Sequence, residues 1–184
     1  MTQIKINYQY EILLLLLKKQ MHGRELAKEL KTSLTRVQSI LSELRSSNIL
    51  DYKVEGKNHV YFIKRNMVSK SFILNAENYK LAKIMCKYPE LEPIFQDVIK
   101  KTRCRLILLF GSYAKSTSGK DSDIDIYIET TDQKVKEEVQ KIYGSISVKI
   151  GIFNPEDLLI KEIIKNHAII KGGEEYYEKL KFFE

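Results

Sequence analysis

The chain has 184 residues, 43% of them apolar, enough to bury the core of one medium domain or two small ones. Its formal charge is +7 at pH 7, and by count about +6 of that lies in residues 1–66, so a partner that seeks positive charge belongs at the N-terminal end. The long apolar run near the start, Ile12 to Leu17, is too short to span a bilayer and has no small-residue cleavage site, which argues against a membrane partner and implies a cytoplasmic protein.

Along the chain, "YEILLLLLKKQ" and "HGRELAKEL" read as helices. In "TSLTRVQSILSELRSSN" the residues Leu34, Val37, Ile40, Leu41 and Leu44 recur at helical spacing behind Thr32 and Ser33, either of which suits the N-cap, and Asn48 suits the end. "ILDYKV" and "HVYFIK" flank the Gly-containing turn "EGKN" and predict a hairpin. Residues 67–102 lack glycine and are divided by Pro89 and Pro93 into two helical pieces, expected to form a helical connector able to pair into a homodimer. From residue 103 strands and helices alternate: "RLILLF", "SDIDIYIE", "TDQKVKEEVQKIYG", "SISVKIGIF" and "PEDLLIKEIIKNH" with Pro155 in its first turn, then a short apolar "AIIK" and an amphipathic "EEYYEKLKFF". The expected class is α/β (α+β), divided as 1–66, 67–102 and 103–184.

Three helices and a basic-tipped hairpin over residues 8–66 resemble a winged helix-turn-helix. The resemblance implies double-stranded DNA as partner, with the third helix in the major groove and the hairpin on the backbone. With the apolar stripe inward, Thr35, Arg36, Gln38, Ser39 and Arg45 project outward, and Lys53, Lys57, Lys64 and Arg65 are placed to pair with phosphates.

The most informative stretch is "FGSYAKSTSGKDSDIDIYIE". Asp123 and Asp125, two apart on an expected strand, share one face while Ile124 and Ile126 take the other. Two adjacent carboxylates repel unless a cation lies between them, and a hard ion such as Mg²⁺, or Mn²⁺, takes oxygen ligands and leaves positions for substrate phosphates. Gly111 permits close backbone approach, and Ser112 offers a hydroxyl and an amide where a short helix begins.

Gly-Ser after a buried strand, about ten residues, then Asp-x-Asp on the next is similar to the signature of the polymerase-β-like nucleotidyltransferases, in particular their minimal prokaryotic branch, over residues 103–170. The resemblance implies that Gly111 and Ser112 bind the phosphates of a nucleoside triphosphate, ATP by preference. Lys115 and Lys120 would assist, and Asp123 and Asp125 would be catalytic as ligands of the metal. It also implies transfer of AMP to a hydroxyl of a protein or small molecule, as in antitoxins that modify a tyrosine of a HEPN-type toxin.

Active members bring a third carboxylate from the following strand. Here "SISVKIGIF" has no acid, and the equivalent position is Lys149, or Ser147 if the register differs by one side-chain pair. Glu129 is about 13 Å along its strand from Asp125 and does not substitute; Asp157 or a partner chain is an alternative source. A lysine facing the aspartates would form an ion pair in the metal's place, so the competing reading is a DNA-binding regulator whose transferase-like domain only senses nucleotide. Cys86 and Cys104 are expected as reduced core residues. His22 and His59 read as surface or capping residues, His167 as a helix-end residue, and Tyr176 and Tyr177 as helix packing.

Overall fold

The computed structural model describes residues 4–119 and 121–184. Two compact units divide the chain, one of residues 5–79 with 183–184 and the other built on residues 80–182. The division falls inside the segment expected as a connector, which is shared between the two.

In the first unit, α1 (Tyr8–Leu16) starts where the Asn7 side chain accepts the amides of Gln9 and Tyr10, and it buries Ile12, Leu13 and Leu16. Next come β1 (Met21–His22), α2 (Gly23–Glu29) and α3 (Leu34–Ser46). Ser33, not Thr32, caps α3 by accepting the Arg36 amide at 3.3 Å. The helix ends as Asn48 turns left-handed (φ 60) while the Ile49 amide donates to the Leu44 carbonyl. β2 (Leu50–Glu55) and β3 (Asn58–Ile63) form the expected hairpin around Gly56 and Lys57. β1 was not foreseen: two residues long, it pairs antiparallel with β3 to give the order β1-β3-β2. Val37, Leu41 and Leu44 turn inward. α4 (Met67–Lys87) opens with the Asn66 side chain accepting from Ser69 N–H and donating to the Asn48 carbonyl, which clips it to the end of α3.

In the second unit, α5 (Leu91–Lys101) precedes β4 (Ile107–Phe110), the single turn α6 (Gly111–Ala114) and β5 (Ile124–Glu129). Then follow α7 (Gln133–Gln140), β6 (Ile146–Gly151), α8 (Leu158–Lys165), β7 (Ala168–Lys171) and α9 (Gly173–Lys179). The sheet order is β6-β5-β4-β7, with β5 parallel to β6 and antiparallel to β4. Ile124, Ile126 and Ile128 point to one face and pack with Phe95 and Val98 of α5 and Val139 of α7. On the other face Tyr127 meets Phe153, which meets Tyr176 of α9. Each buried Ile or Leu contributes about 1.5–3 kcal/mol, so both faces are committed and only strand ends and edges are left for chemistry.

The α/β (α+β) class is borne out, with a helical and winged N-terminal unit and a C-terminal mixed sheet flanked by helices. Pro155 is not in the first turn of α8: the helix starts at Leu158, and Pro155 sits in the Asn154–Asp157 turn before it. Cys86 is exposed and not, as expected, a core residue, whereas Cys104 is half-buried and packs against the core; both are free thiols. His167 is buried at the end of α8, its Nδ1 within 3.2 Å of the Ile163 carbonyl. Tyr176 and Tyr177 are buried, as expected. No helix among the described residues is long and apolar enough to cross a membrane.

Candidate active site

β4 delivers Phe110 opposite Asp125 on β5, and the chain then turns sharply. Gly111 has φ +71, a conformation that L side chains rarely adopt. A Cβ placed there would lie 2.0 Å from Asp125 Oδ2. The aspartate therefore rests against bare backbone, and any side chain at 111 would fill the space its carboxylate uses. Tyr113 anchors the turn: it is buried and meets Tyr88 edge-on at 4.9 Å. Lys87 Nζ donates to the Ser116 carbonyl at 2.7 Å, and the Thr117 amide donates to the Ser112 carbonyl at 3.0 Å, which fixes the exit of the turn. The Ser112 hydroxyl makes no hydrogen bond among the described residues and is available to a ligand.

Asp125 is half-buried, and that burial pushes its carboxyl above the usual range. The Ser147 hydroxyl beside it opposes the shift, the charge of Asp123 adds to it, and Lys149 acts weakly against it. Asp123 is exposed and lies just before β5, so it belongs to the loop and not, as expected, to the strand. It is still near enough for its charge to act on Asp125. Lys115 is exposed and makes no ion pair among the described residues. Lys120 lies outside the described residues.

The register resolves the third position. Ser147 pairs with Asp125, and Lys149 pairs with Tyr127 two residues further on. Lys149 is exposed and forms no ion pair with either aspartate, so the expected lysine plug is not what faces Asp125. Glu129 is engaged elsewhere: Oε1 accepts from the Phe153 amide at 3.2 Å and pairs with Lys179 at 2.9 Å. Asp157 precedes α8 and accepts from Asn154 Nδ2. Among the described residues no three His, Cys, Asp or Glu side chains gather into a metal cluster.

In the N-terminal unit Thr35, Arg36, Gln38, Ser39, Arg45, Lys53 and Lys57 are all exposed. They border two recesses and the wing. Thr35, Arg36 and Ser39 border a shallow, open recess of about 950 Å³ that Lys5–Gln9 also line, with the Arg36 guanidinium 5.1 Å from the Tyr8 ring centre. Gln38 and Lys57 border a separate recess of about 520 Å³ with His22, Arg24, His59 and Tyr61. Arg45 lies 4.3 Å over the Tyr52 ring, and His59 stacks on that ring at 3.9 Å. Lys53 pairs with Glu55 at 2.8 Å on the exposed wing.

Three solved structures are similar at low overlap: adhesin competence repressor (AdcR) from Streptococcus pyogenes (17% identity, 53% of this chain and 67% of that one, TM-score 0.37); a mutant form of Lactococcus lactis ZitR (21%, 55% and 73%, 0.38); and a toxin-antitoxin with AMP-PNP (22%, 57% and 82%, 0.35). A Methanocaldococcus jannaschii protein named "Putative protein adenylyltransferase MJ1547" is 46% identical over 69 residues, which are 37% of this chain. The match spans 56% of that relative's length. Residues 91–180 match the family model described as "Polymerase beta, Nucleotidyltransferase", and together with the M. jannaschii likeness this supports a nucleotidyltransferase fold for that stretch.

Proposed function

We propose that the 80–182 unit transfers a nucleoside monophosphate, AMP from ATP, to a hydroxyl group, and that the N-terminal unit holds duplex DNA. The observation that carries the first half is the meeting of Gly111 and Asp125: the Gly-Ser turn and the second carboxylate of the acidic pair, separate in sequence, come together at the end of β4. Ser112 and the Gly111 backbone would hold the triphosphate, with Lys115 and Lys120 as supporting charges.

A carboxylate that burial and a second carboxylate have both pushed up is a group that gains from a cation. The donor set, two carboxylates with a serine hydroxyl beside them, fits one hard divalent ion such as Mg²⁺, which would neutralise the triphosphate and stabilise charge on the leaving pyrophosphate. Asp123 and Asp125 would hold it. Ser147, paired with Asp125 across the strands, would help to hold its carboxylate in the charged form through its hydroxyl.

Calorimetric titration of ATP, GTP and CTP with and without Mg²⁺, on the wild type and on Asp123→Asn/Asp125→Asn, tests this. Binding that needs both metal and aspartates supports the transferase. Binding indifferent to both favours the second reading, a regulator with a nucleotide-sensing domain, which the lack of an acid on β6 keeps open. For the N-terminal unit the support is the exposed basic set on α3 and the wing. The resemblance extends the proposal to an antitoxin acting on a HEPN-type partner; co-expression with such a nuclease, scored for rescue of growth and its loss in Asp125→Asn, tests that step.

A further inference from the structure

We infer that the recess between α2, α3 and the wing is a binding site for one nucleoside 5′-phosphate, its base stacked against His59 and Tyr61 and its phosphate held by Arg24 and Lys57. The inference concerns the N-terminal unit alone and is independent of the transferase reading.

The recess has a volume of about 520 Å³, within the range of small-molecule sites and too small for a duplex. Its wall depends on β1, the two-residue strand. β1 pairs Met21 with Tyr61 and His22 with Val60, and His22 Nδ1 donates to the His59 carbonyl at 3.3 Å. These bonds bring the start of α2, with Arg24, beside the strand that carries His59 and Tyr61. Lys57 comes from the wing tip, where Gly56 turns left-handed at φ +62.

Three features of the lining point to one ligand class. The first is a corner of rings: His59 and Tyr61 lie 6.3 Å apart at 77°, so a flat ring can stack on one and meet the other edge-on. His59 already stacks on Tyr52 at 3.9 Å, with Arg45 4.3 Å over Tyr52, and a bound base would extend that column. The second is charge. Arg24 and Lys57 are exposed and make no ion pair among the described residues, whereas Glu25, an acid in the lining, is paired with Lys19 at 2.6 Å. The recess therefore keeps a positive balance for an anion. The third is a pair of amides, Gln38 and Asn58, whose side chains make no hydrogen bond among the described residues. An amide presents a donor and an acceptor side by side, as the edge of a nucleobase does.

A duplex backbone would satisfy the cations, but its base faces are shut inside the stack and cannot reach the corner. Bare phosphate leaves the rings and amides unused, and a simple aromatic acid leaves the amides. A base joined to a phosphate uses all three. Two sources supply that chemistry: a free mononucleotide, or an unpaired nucleotide in a single strand. Gln38 and Lys57 are also among the proposed duplex contacts, so an occupied recess and duplex DNA would exclude each other; that consequence alone rests on the DNA reading.

Saturation-transfer NMR with AMP tests the site, on the full chain carrying Asp123→Asn/Asp125→Asn and in EDTA, so that the proposed metal site is silent. Saturation should be strongest at the base protons, and AMP should bind about tenfold or more tighter than adenosine or ribose 5-phosphate. His59→Ala and Arg24→Gln should each weaken AMP by about fivefold or more, and Arg24→Gln should melt as the parent does, since its side chain has no ion-pair partner to lose. AMP binding that survives both variants, that ribose 5-phosphate matches, or that benzoate equals would overturn the inference, as would failure of both AMP and single-stranded oligo(dA) to bind. Oligo(dA) that binds about tenfold tighter than AMP and loses that affinity in His59→Ala assigns the recess to an unpaired nucleotide of a strand; equal affinity assigns it to the free nucleotide. Blunt duplex should displace AMP. Duplex and AMP bound together would instead remove Gln38 and Lys57 from the proposed DNA contacts and leave the nucleotide site standing.

Discussion

In the N-terminal unit Arg36, Gln38 and Lys57 stand exposed on a helix and a turn whose other faces do the packing. In the 80–182 unit Asp125 is half-buried, with its carboxylate against the backbone of Gly111. The first arrangement would keep the proposed DNA contacts largely apart from folding. The second merges them: the residue that would hold the metal is also one that the fold holds at a cost.

Gly111→Ala presses on that comparison hardest. The new methyl group would overlap Asp125 Oδ2 in a backbone conformation that disfavours it. Mg²⁺-dependent ATP binding should fall by about two orders of magnitude or more, and thermal unfolding should show a loss of about 1–3 kcal/mol. A binding-competent, equally stable Gly111→Ala protein would show that the carboxylate is free to leave the turn.

Asp125→Asn should separate the two roles. It should abolish metal-dependent nucleotide binding while raising the melting temperature of the metal-free protein. The sign follows from linkage. A carboxyl whose folded pKa lies above its ordinary 3.8 binds more protons folded than unfolded, so its contribution to stability falls as pH rises from 3.8 through the raised value. The gain in Asp125→Asn should therefore be present at pH 7 and vanish below pH 3.8. A destabilised variant at pH 7 would mean that Asp125 is stabilising as a charge.

On the exposed side, Arg36→Ala and Lys57→Ala should each weaken duplex DNA binding several-fold and reduce the salt slope by about 1 for every phosphate no longer paired. The melting temperature of Lys57→Ala should not move, while Arg36→Ala should lose about 0.5–1 kcal/mol with its contact to the Tyr8 ring. Fluorescence anisotropy across a salt series, with thermal melts, would show this; a change in stability with Lys57→Ala would show that the N-terminal unit does not separate the roles.

The smallest effect is expected at Lys149. Lys149→Ala should leave ATP affinity within about twofold and stability within about 0.5 kcal/mol, as for an exposed side chain without an ion-pair partner. A large gain in metal affinity would restore the idea of a lysine plug.

The long periodic segments were legible because their apolar spacing is local. Val37, Leu41 and Leu44 turn inward as their spacing requires, and Ile124, Ile126 and Ile128 share the buried face of β5. β1 was not legible, because two residues carry no periodicity and exist as a strand only through pairing with β3. The Gly-Ser turn and the acidic pair were visible as motifs, but their meeting depends on the antiparallel pairing of Phe110 with Asp125. Ser147 and Lys149 alternate identically along β6, so only the partner strand's register assigns Ser147 to Asp125. Cys86 followed an apolar helical pattern yet ended exposed, because the stripe on α4 passes beside it.

That misplaced cysteine has a practical side. Cys86 offers an exposed thiol next to Lys87, whose ammonium holds the Ser116 carbonyl at the exit of the Gly-Ser turn. Burial pushes the Cys104 thiol up, so it is the less reactive of the pair. Brief treatment with a maleimide dye at neutral pH should therefore mark the native chain mainly at Cys86. The label would sit one residue from the tether of the Gly-Ser turn, where it would serve as an optical reporter of the proposed nucleotide without an engineered site.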